Sequence, residues 1–448
     1  MNHVYTASAY RAYPAYKDSG IEWLGEVPQA WQIHLFKRAY YVTLGKMLQP
    51  TATSPTDCLM PYLRAANIQW EGVDLTVVKS MWFSLQECRQ LTLIDGDLLL
   101  SEGGDVGRSA IWHDELQPCF FQNSINRVRA KNGNLTRYAY YWMSVMKDKG
   151  YIDVLCNKST IAHFTVEKVE AVPIPLPCIS EQQAIAAFLD RETAKIDALI
   201  AKQNRLITLL NEKRQAVISH AVTQGLDPNV PVKDSGIEWL GFVPAHWECP
   251  ALYMRYRIEL GKMLDSERIV GDDLLPYLRN TDVQWNAINF DDLPKMDINS
   301  SEWNRYTICA GDLLVCEGGE VGRSAVVTSD APHVGFQKAL HRMRPRNQQE
   351  VTEFMYYTMY WAAHQAIFSV EGNQSTIVHL TGEKLRKYRF PKPPQAEQEA
   401  IVAFLDHATE KIDKLIEKAK QSIELMKERR SALIAAAVTG KIDVRELV

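Results

Sequence analysis

Three groups of side chains here have the types that read nucleic acid, and each group occurs twice. The first is the arginine closing a glycine-rich turn: Arg108 in EGGDVGRSA and Arg323 in EGGEVGRSA. The second is Gln122-Asn123-Ser124 with Arg127, matched by Gln337-Lys338-Ala339 with Arg342. The third is Lys158-Ser159-Thr160, matched by Gln374-Ser375-Thr376. Lys46 and Lys262, in the two LGKML segments, are weaker candidates. Arg, Lys, Asn and Gln can pair with base edges in the major groove, and Lys, Arg, Ser and Thr can hold phosphates. Residues shared by the copies suit phosphate or framework roles, whereas differing neighbours, such as Asn123 against Lys338, suit base reading. On this view Arg127→Ala or Arg342→Ala weakens binding at every sequence and lowers its salt dependence. A change at Asn123 or Lys338 shifts preference in one half of the target. The glycine segment lacks the GxGxxG spacing of a phosphate cradle and is expected to be a tight turn, using Gly at positive φ, that presents Arg108 and Arg323 outward; the structural alternative is that the shared residues are framework, with Ser or Thr acting as caps. His163 and His379 are expected to be packed or capping residues rather than ligands.

The chemistry of an enzyme is missing. No Asp or Glu has Lys two residues on, as a PD…(D/E)xK nuclease requires. The only Pro-Pro, Pro393-Pro394, lies between Lys392 and Gln395, so there is no amine-binding loop of an amino-methyltransferase. GxxxxGK[ST] and HExxH are both absent. The eight cysteines show no CxxC spacing and none recurs in the other half, which suits isolated core residues rather than a disulfide or zinc framework. No cofactor is expected in this chain.

At 448 residues the prior is about three domains. Apolar content of 46% and charged content of 23% are ordinary for a globular protein. No apolar run is long enough for a membrane span, and the start, MNHVYTASAYRAYPAY, lacks the pattern of a secretory signal. It reads as a loose, Tyr-rich arm and points to the cytoplasm. The net charge of −4 suggests that partner subunits supply much of any phosphate contact.

These side chains are positioned by a duplicated scaffold. KDSGIEWLG at Lys17–Gly25 recurs at Lys233–Gly241, an offset of 233 − 17 = 216. VP…W, LGKML, PYLR, GDLL, EGG[DE]VGRSA and STI[AV]H[FL]T follow in the same order in each half, and each ends in a proline stop, PIPLP or FPKPP. A period this long marks a duplicated domain rather than a solenoid. LLLSEGG with AIW, and LLVCEGG with AVV, predict strands flanking a glycine turn; Leu135–Lys149 and Val351–Ile367 predict helices.

After each proline stop, Glu181–Val222 and Glu397–Val438 contain no Gly or Pro, so two long helices are expected, ending at Gly225 and Gly440. A seven-residue count places Leu189, Ile196, Gln203, Leu210 and Val217 on one row, with Glu192, Leu199, Leu206, Lys213 and His220 as its partner row. In the second helix the rows are Leu405, Ile412, Ala419, Met426, Leu433 and Ala408, Leu415, Ser422, Arg429, Ala436. Neither helix can bury its stripe alone, and each is the obvious partner of the other. Gln203 and Ser422 suit register devices. An antiparallel pair would hold two similar tips for a roughly two-fold duplex target.

In these motifs, and in the closing EKRQAVISHAVTQG and ERRSALIAAAVTGK, the chain resembles the specificity subunit of type I restriction–modification systems over nearly its full length. The resemblance implies an α+β fold: two pseudo-symmetric globular target-recognition domains joined by two long helices paired as an antiparallel coiled coil. It implies an N-terminal arm at 1–16, target-recognition domains at 17–178 and 226–394, spacer helices at 179–225 and 395–440, and a tail at 441–448. It implies double-stranded DNA as target, two methyltransferase subunits that bring S-adenosylmethionine and methylate adenine, and restriction subunits that supply ATP-dependent cleavage. Because the two tips are alike, the half-sites are expected to be related, approaching an interrupted palindrome. A single arm, 17–225, is expected to form a symmetric dimer.

Overall fold

A computed structural model describes residues 10–70, 72–156, 162–264, 274–331, 333–369 and 379–447. The chain divides into two compact units, Met1–Gln203 with Lys420–Val448, and Asn204–Ala419. Each takes one globular part and a portion of both long helices.

In the first unit an antiparallel sheet runs in the order Ser109–Ile111, Leu98–Ser101, Ile125–Ala130, Tyr40–Leu44. Its first two strands flank the glycine turn, with Ala110 opposite Leu99. A second sheet holds Cys58–Leu63 between Lys79–Phe83, antiparallel, and Phe120–Phe121, parallel. Helix Thr136–Asp148 buries Tyr138, Ala139, Trp142, Met143 and Met146 in the main core. The second unit repeats this plan: Tyr256–Leu260, Leu340–Pro345, Leu313–Cys316 and Ser324–Val326 in one sheet, with Lys295–Asp297, Leu274–Leu278 and Gly335–Phe336 in the other. Helix Thr352–His364 covers the first sheet's core.

The repeated motifs are the latches of this plan. Trp31 is fully buried and donates Nε1–H to Glu181 at 3.1 Å; Trp247 does the same to Glu397 at 3.0 Å. The buried Gln182 accepts from the Leu135 N–H at 3.0 Å and donates to the Pro177 carbonyl. Gln398 accepts from Val351 and donates to Pro393, so each long helix is tied to the start of the core helix. In GDLL, Asp97 and Asp312 accept two bonds from Arg129 and Arg344 across the sheet, at 2.6–2.7 Å. Bonds between charged partners are the strong class, and they fix these carboxylates in place.

The first long helix spans Ile179–Gln224 and the second Gln395–Val438. Gly225 and Gly440 end them at φ +79° and +72°, a conformation that glycine adopts freely. Within each unit the helices run antiparallel. In the first, Leu189 and Ile196 share a core with Leu433 and Ala437; in the second, Leu210 packs with Ile412 and Ile416. The first heptad row faces inward, but the partner row lies one residue later than expected. It is Thr193, Ile200, Ile207, Arg214 and Ala221, matched by Thr409, Ile416, Ile423, Arg430 and Ala437. Leu199, Leu206 and Leu415, placed in the seam by counting at +3, are exposed. A 4-then-3 spacing satisfies the same period, and leucine alone does not tell the two apart. The equivalent positions Arg430 and Arg214 bridge to the opposing helix, Arg430 to Asp197 at 3.0 Å and Arg214 to Asp413.

The N-terminal arm is not loose over its described part. Tyr13 is buried and its hydroxyl donates to Glu181 at 2.7 Å. Tyr16 donates to the Gly440 carbonyl, and the Asp443 N–H donates to the Arg11 carbonyl. Residues 11–16 and 440–443 therefore close the first unit where, in the second, continuous chain leads from Gly225 to Val232–Asp234. No helix among the described residues is long and apolar enough to cross a membrane.

Candidate nucleic-acid interface

In each domain three backbone segments converge on one rim. Gly45 lies so close to Gln122 that a Cβ there would sit 2.3 Å from the Gln122 carbonyl oxygen; at Gly261 the distance to the Gln337 oxygen is 2.2 Å. This contact explains the Gly of LGKML, because no other residue lets the two backbones meet. The Asn123 N–H then donates to the Lys46 carbonyl and Lys338 to Lys262, both at 2.9 Å. Gln122 and Gln337 donate their N–H groups to Leu63 and Leu278, the ends of the PYL strands. The rim thus presents residues 122–124 or 337–339 on a rigid frame.

Gln122, Asn123 and Ser124 are half-buried and Lys338 is exposed. The side chains of Gln122, Asn123, Gln337 and Lys338 make no hydrogen bond among the described residues. Ser124 accepts from the Ala65 N–H at 3.1 Å, a framework role that Ala339 does not share. Met47 and Leu48, and Met263 and Leu264, add exposed apolar surface beside them.

Several sequence candidates take other positions. Arg127 is 6% exposed and Arg342 is 0%. Arg127 donates to the Gln90 and Thr92 carbonyls and lies over the Phe121 ring; Arg342 donates to Asn304 and Thr307 and lies over Phe336. Burial, then a neighbouring arginine, pushes each guanidinium down to about 10, still charged at neutral pH. These arginines brace the sheet from inside and offer nothing to a phosphate. Their alternation on the strand places them inward, which their shared identity did not reveal.

Arg108 and Arg323 do not stand outward either. Arg108 donates to the Ala65 carbonyl at 3.0 Å and Arg323 to the Asn280 carbonyl at 2.9 Å, tying the glycine turn to the turn after PYLR. Lys46 is only 10% exposed and ion-paired with Glu87; Lys262 lies 2.5 Å from Glu302. Both glutamates sit in capping boxes, begun by Ser84 and Asn299, so these lysines secure a local turn. Lys158, Ser159, Thr160, Gln374, Ser375 and Thr376 lie outside the described residues. His163 and His379 are exposed rather than packed, and His163 lies 3.0 Å from Glu102.

Arg64 escaped the sequence reading although PYLR recurs. It sits between Leu63 and Ala65, both held to the rim, and its guanidinium has no partner among the described residues. Among the described residues, no group of three or more His, Cys, Asp or Glu could hold a metal ion.

Comparison with known proteins identifies the family. The family described as type I restriction modification DNA specificity domain matches residues 60–209 and again 276–425. The EcoKI type I restriction enzyme specificity subunit of Escherichia coli K12 is 22% identical over 436 residues, 94% of this chain and 91% of its own. A putative MjaX specificity subunit of Methanocaldococcus jannaschii is 23% identical over 439 residues, covering 94% and 96%. Among solved structures, a chain of a type I R-M system superposes with TM-score 0.71 at 14% identity, covering 92% of this chain and 98% of that one. The HsdS subunit from Thermoanaerobacter tengcongensis gives 0.55 at 16% identity, covering 93% and 98%. Matched twice over, with both copies carrying the same rim, the chain belongs to the type I restriction–modification DNA specificity family.

Proposed function

We propose that each globular domain reads one half of a bipartite duplex DNA site, and that the paired helices set the spacing between the halves. The observation that carries this is the duplicated rim: one backbone frame in both domains, holding different side chains at Asn123 and Lys338. A fixed frame with exchangeable donors and acceptors is what base readout needs. Because the two domains are otherwise alike, even in the glycine turn, the half-sites are related apart from what Asn123 and Lys338 read, and the full site approaches an interrupted palindrome.

The catalytic chemistry belongs to partners acting in the cytoplasm. Two methyltransferase subunits, bringing S-adenosylmethionine, dock on the helical region, and restriction subunits add ATP-dependent cleavage. The exposed Leu199, Leu206 and Leu209 on the first helix, and Leu415 and Leu425 on the second, supply apolar surface of the kind that docking buries. Sequencing the methylated adenines of a strain carrying the intact system tests the reading. Two sequence blocks separated by a gap of fixed length are expected; a continuous motif overturns it.

A further inference from the structure

We infer that the two domains grip DNA unequally: Arg64 of the first makes a duplex contact that its counterpart Arg279 is prevented from making. The inference rests on the DNA-reading role proposed above. Both arginines end a PYL strand and enter a one-turn helix, Ala65–Asn67 or Asn280–Asp282. The third residue of that turn decides their fate. In the second domain Asp282 accepts from the Arg279 N–H at 2.7 Å and holds its guanidinium through two further bonds, at 2.9 and 2.8 Å. That charge is neutralised at short range. In the first domain the position is Asn67, which accepts from the Arg64 N–H at 2.9 Å but carries no charge. Its amide donates instead to the Asp74 and Val77 carbonyls at 2.7 and 3.1 Å.

Arg64 is therefore left half-buried, with Nε shielded from solvent and without a partner, and with no carboxylate paired to it among the described residues. Unlike Arg108, Arg127, Arg323 and Arg342, whose Nη atoms are bonded, Arg64 has no Nη bond among the described residues, and a half-buried guanidinium with free Nη donors is poised for an anionic or acceptor group. Its neighbours place it on the rim: Ala65 is bonded to Ser124 and Arg108, and Leu63 to Gln122. The group it takes is a duplex phosphate oxygen or a guanine O6/N7 edge, which share this chemistry.

The test uses the full chain assembled with its methyltransferase subunits. Duplex binding is measured across a range of salt, on the methylome-defined site and on a scrambled duplex. Arg64→Gln should weaken binding about tenfold and lower the slope of log K against log salt by about one. Loss on both duplexes assigns the contact to phosphate, and loss on the cognate duplex alone assigns it to guanine. Arg279→Gln should change neither value. Asp282→Asn keeps the acceptor for the Arg279 N–H, frees the guanidinium, and should raise the slope by about one. Arg64→Gln behaving as wild type, or matching Arg279→Gln, overturns the inference while leaving the domain reading intact. A wild-type complex that binds no duplex overturns both.

Discussion

Beneath the proline stop, the two domains solve one position in opposite ways. In the second, Arg255 is 2% exposed and bonded to Glu350 at 2.7–3.0 Å, with the Phe390 and Pro391 carbonyls completing its shell. In the first, the equivalent residues are Ala39 and Asn134, and they line an open hollow of about 610 Å³. The latches around both positions are the same: Gln182 and Gln398, Trp31 and Trp247. Duplication has therefore preserved the joints between helix, sheet and core helix, together with the Asp97–Arg129 and Asp312–Arg344 pairs, while other interior polar positions have diverged. The same holds at Asn67 against Asp282, and at Asn126 against His341, which donate to the Phe164 and Leu380 carbonyls respectively.

The largest test of this difference is Glu350→Ala. It strands a buried guanidinium and should cost about 3–5 kcal/mol, confined to the second domain. Hydrogen exchange should show faster opening of residues in Leu313–Cys316 and Leu340–Pro345, with Leu98–Ser101 unchanged. Installing the first domain's solution, Arg255→Ala with Glu350→Asn, should cost less than Glu350→Ala alone. A larger cost for the double variant would mean that the pair is itself a main source of stability.

Arg127 and Arg342 provide a test in which the domains should agree. Each replacement by alanine removes a buried guanidinium that lies over Phe121 or Phe336 and bonds backbone carbonyls, which costs about 1–3 kcal/mol of stability. Denaturant melts of Arg127→Ala and Arg342→Ala should fall, whereas those of Arg64→Gln should not. If DNA affinity drops without loss of stability, the bracing role is wrong.

The smallest effect is on pH dependence, and it is again one-sided. Burial, opposed by the bond to Leu380 and by Glu317 and reinforced by Arg386, holds His341 below the ordinary histidine value of 6.5. Its Nδ1 is buried without a partner, and Nε2–H donates to Leu380 at 2.6 Å, so the native ring is neutral. The unfolded chain binds a proton there first, so this contribution is complete above about pH 6.5 and erodes as pH falls below it. Asn126 does not titrate. Exchange measured between pH 7 and 5 should show the second domain loosening, and His341→Asn should remove its share of that slope.

Much of the scaffold could be read from the sequence because duplication prints each latch twice and long helices carry their own composition. Strand–turn–strand at the glycine turn and helix Thr136–Asp148 both follow from local pattern. What escaped is what only packing decides. The inward face of the helices shifted by one residue, since Leu199 and Ile200 are equally apolar. Arginines shared by the copies suit surface contacts by residue type, yet strand alternation buries Arg127 and Arg342 and turn geometry ties down Arg108 and Arg323. The distinction of Arg64 is the absence of a carboxylate three residues on, which has meaning only beside the Arg279–Asp282 pair.

The central claim is that one rim reads one half-site, and the methylome of cells carrying a single rim substitution tests it most directly. With Asn123→Lys, giving the first domain the residue of the second, one block of the methylated sequence should change while the other block and the gap stay as in wild type. Both blocks changing together, or neither changing while methylation persists, would contradict the account.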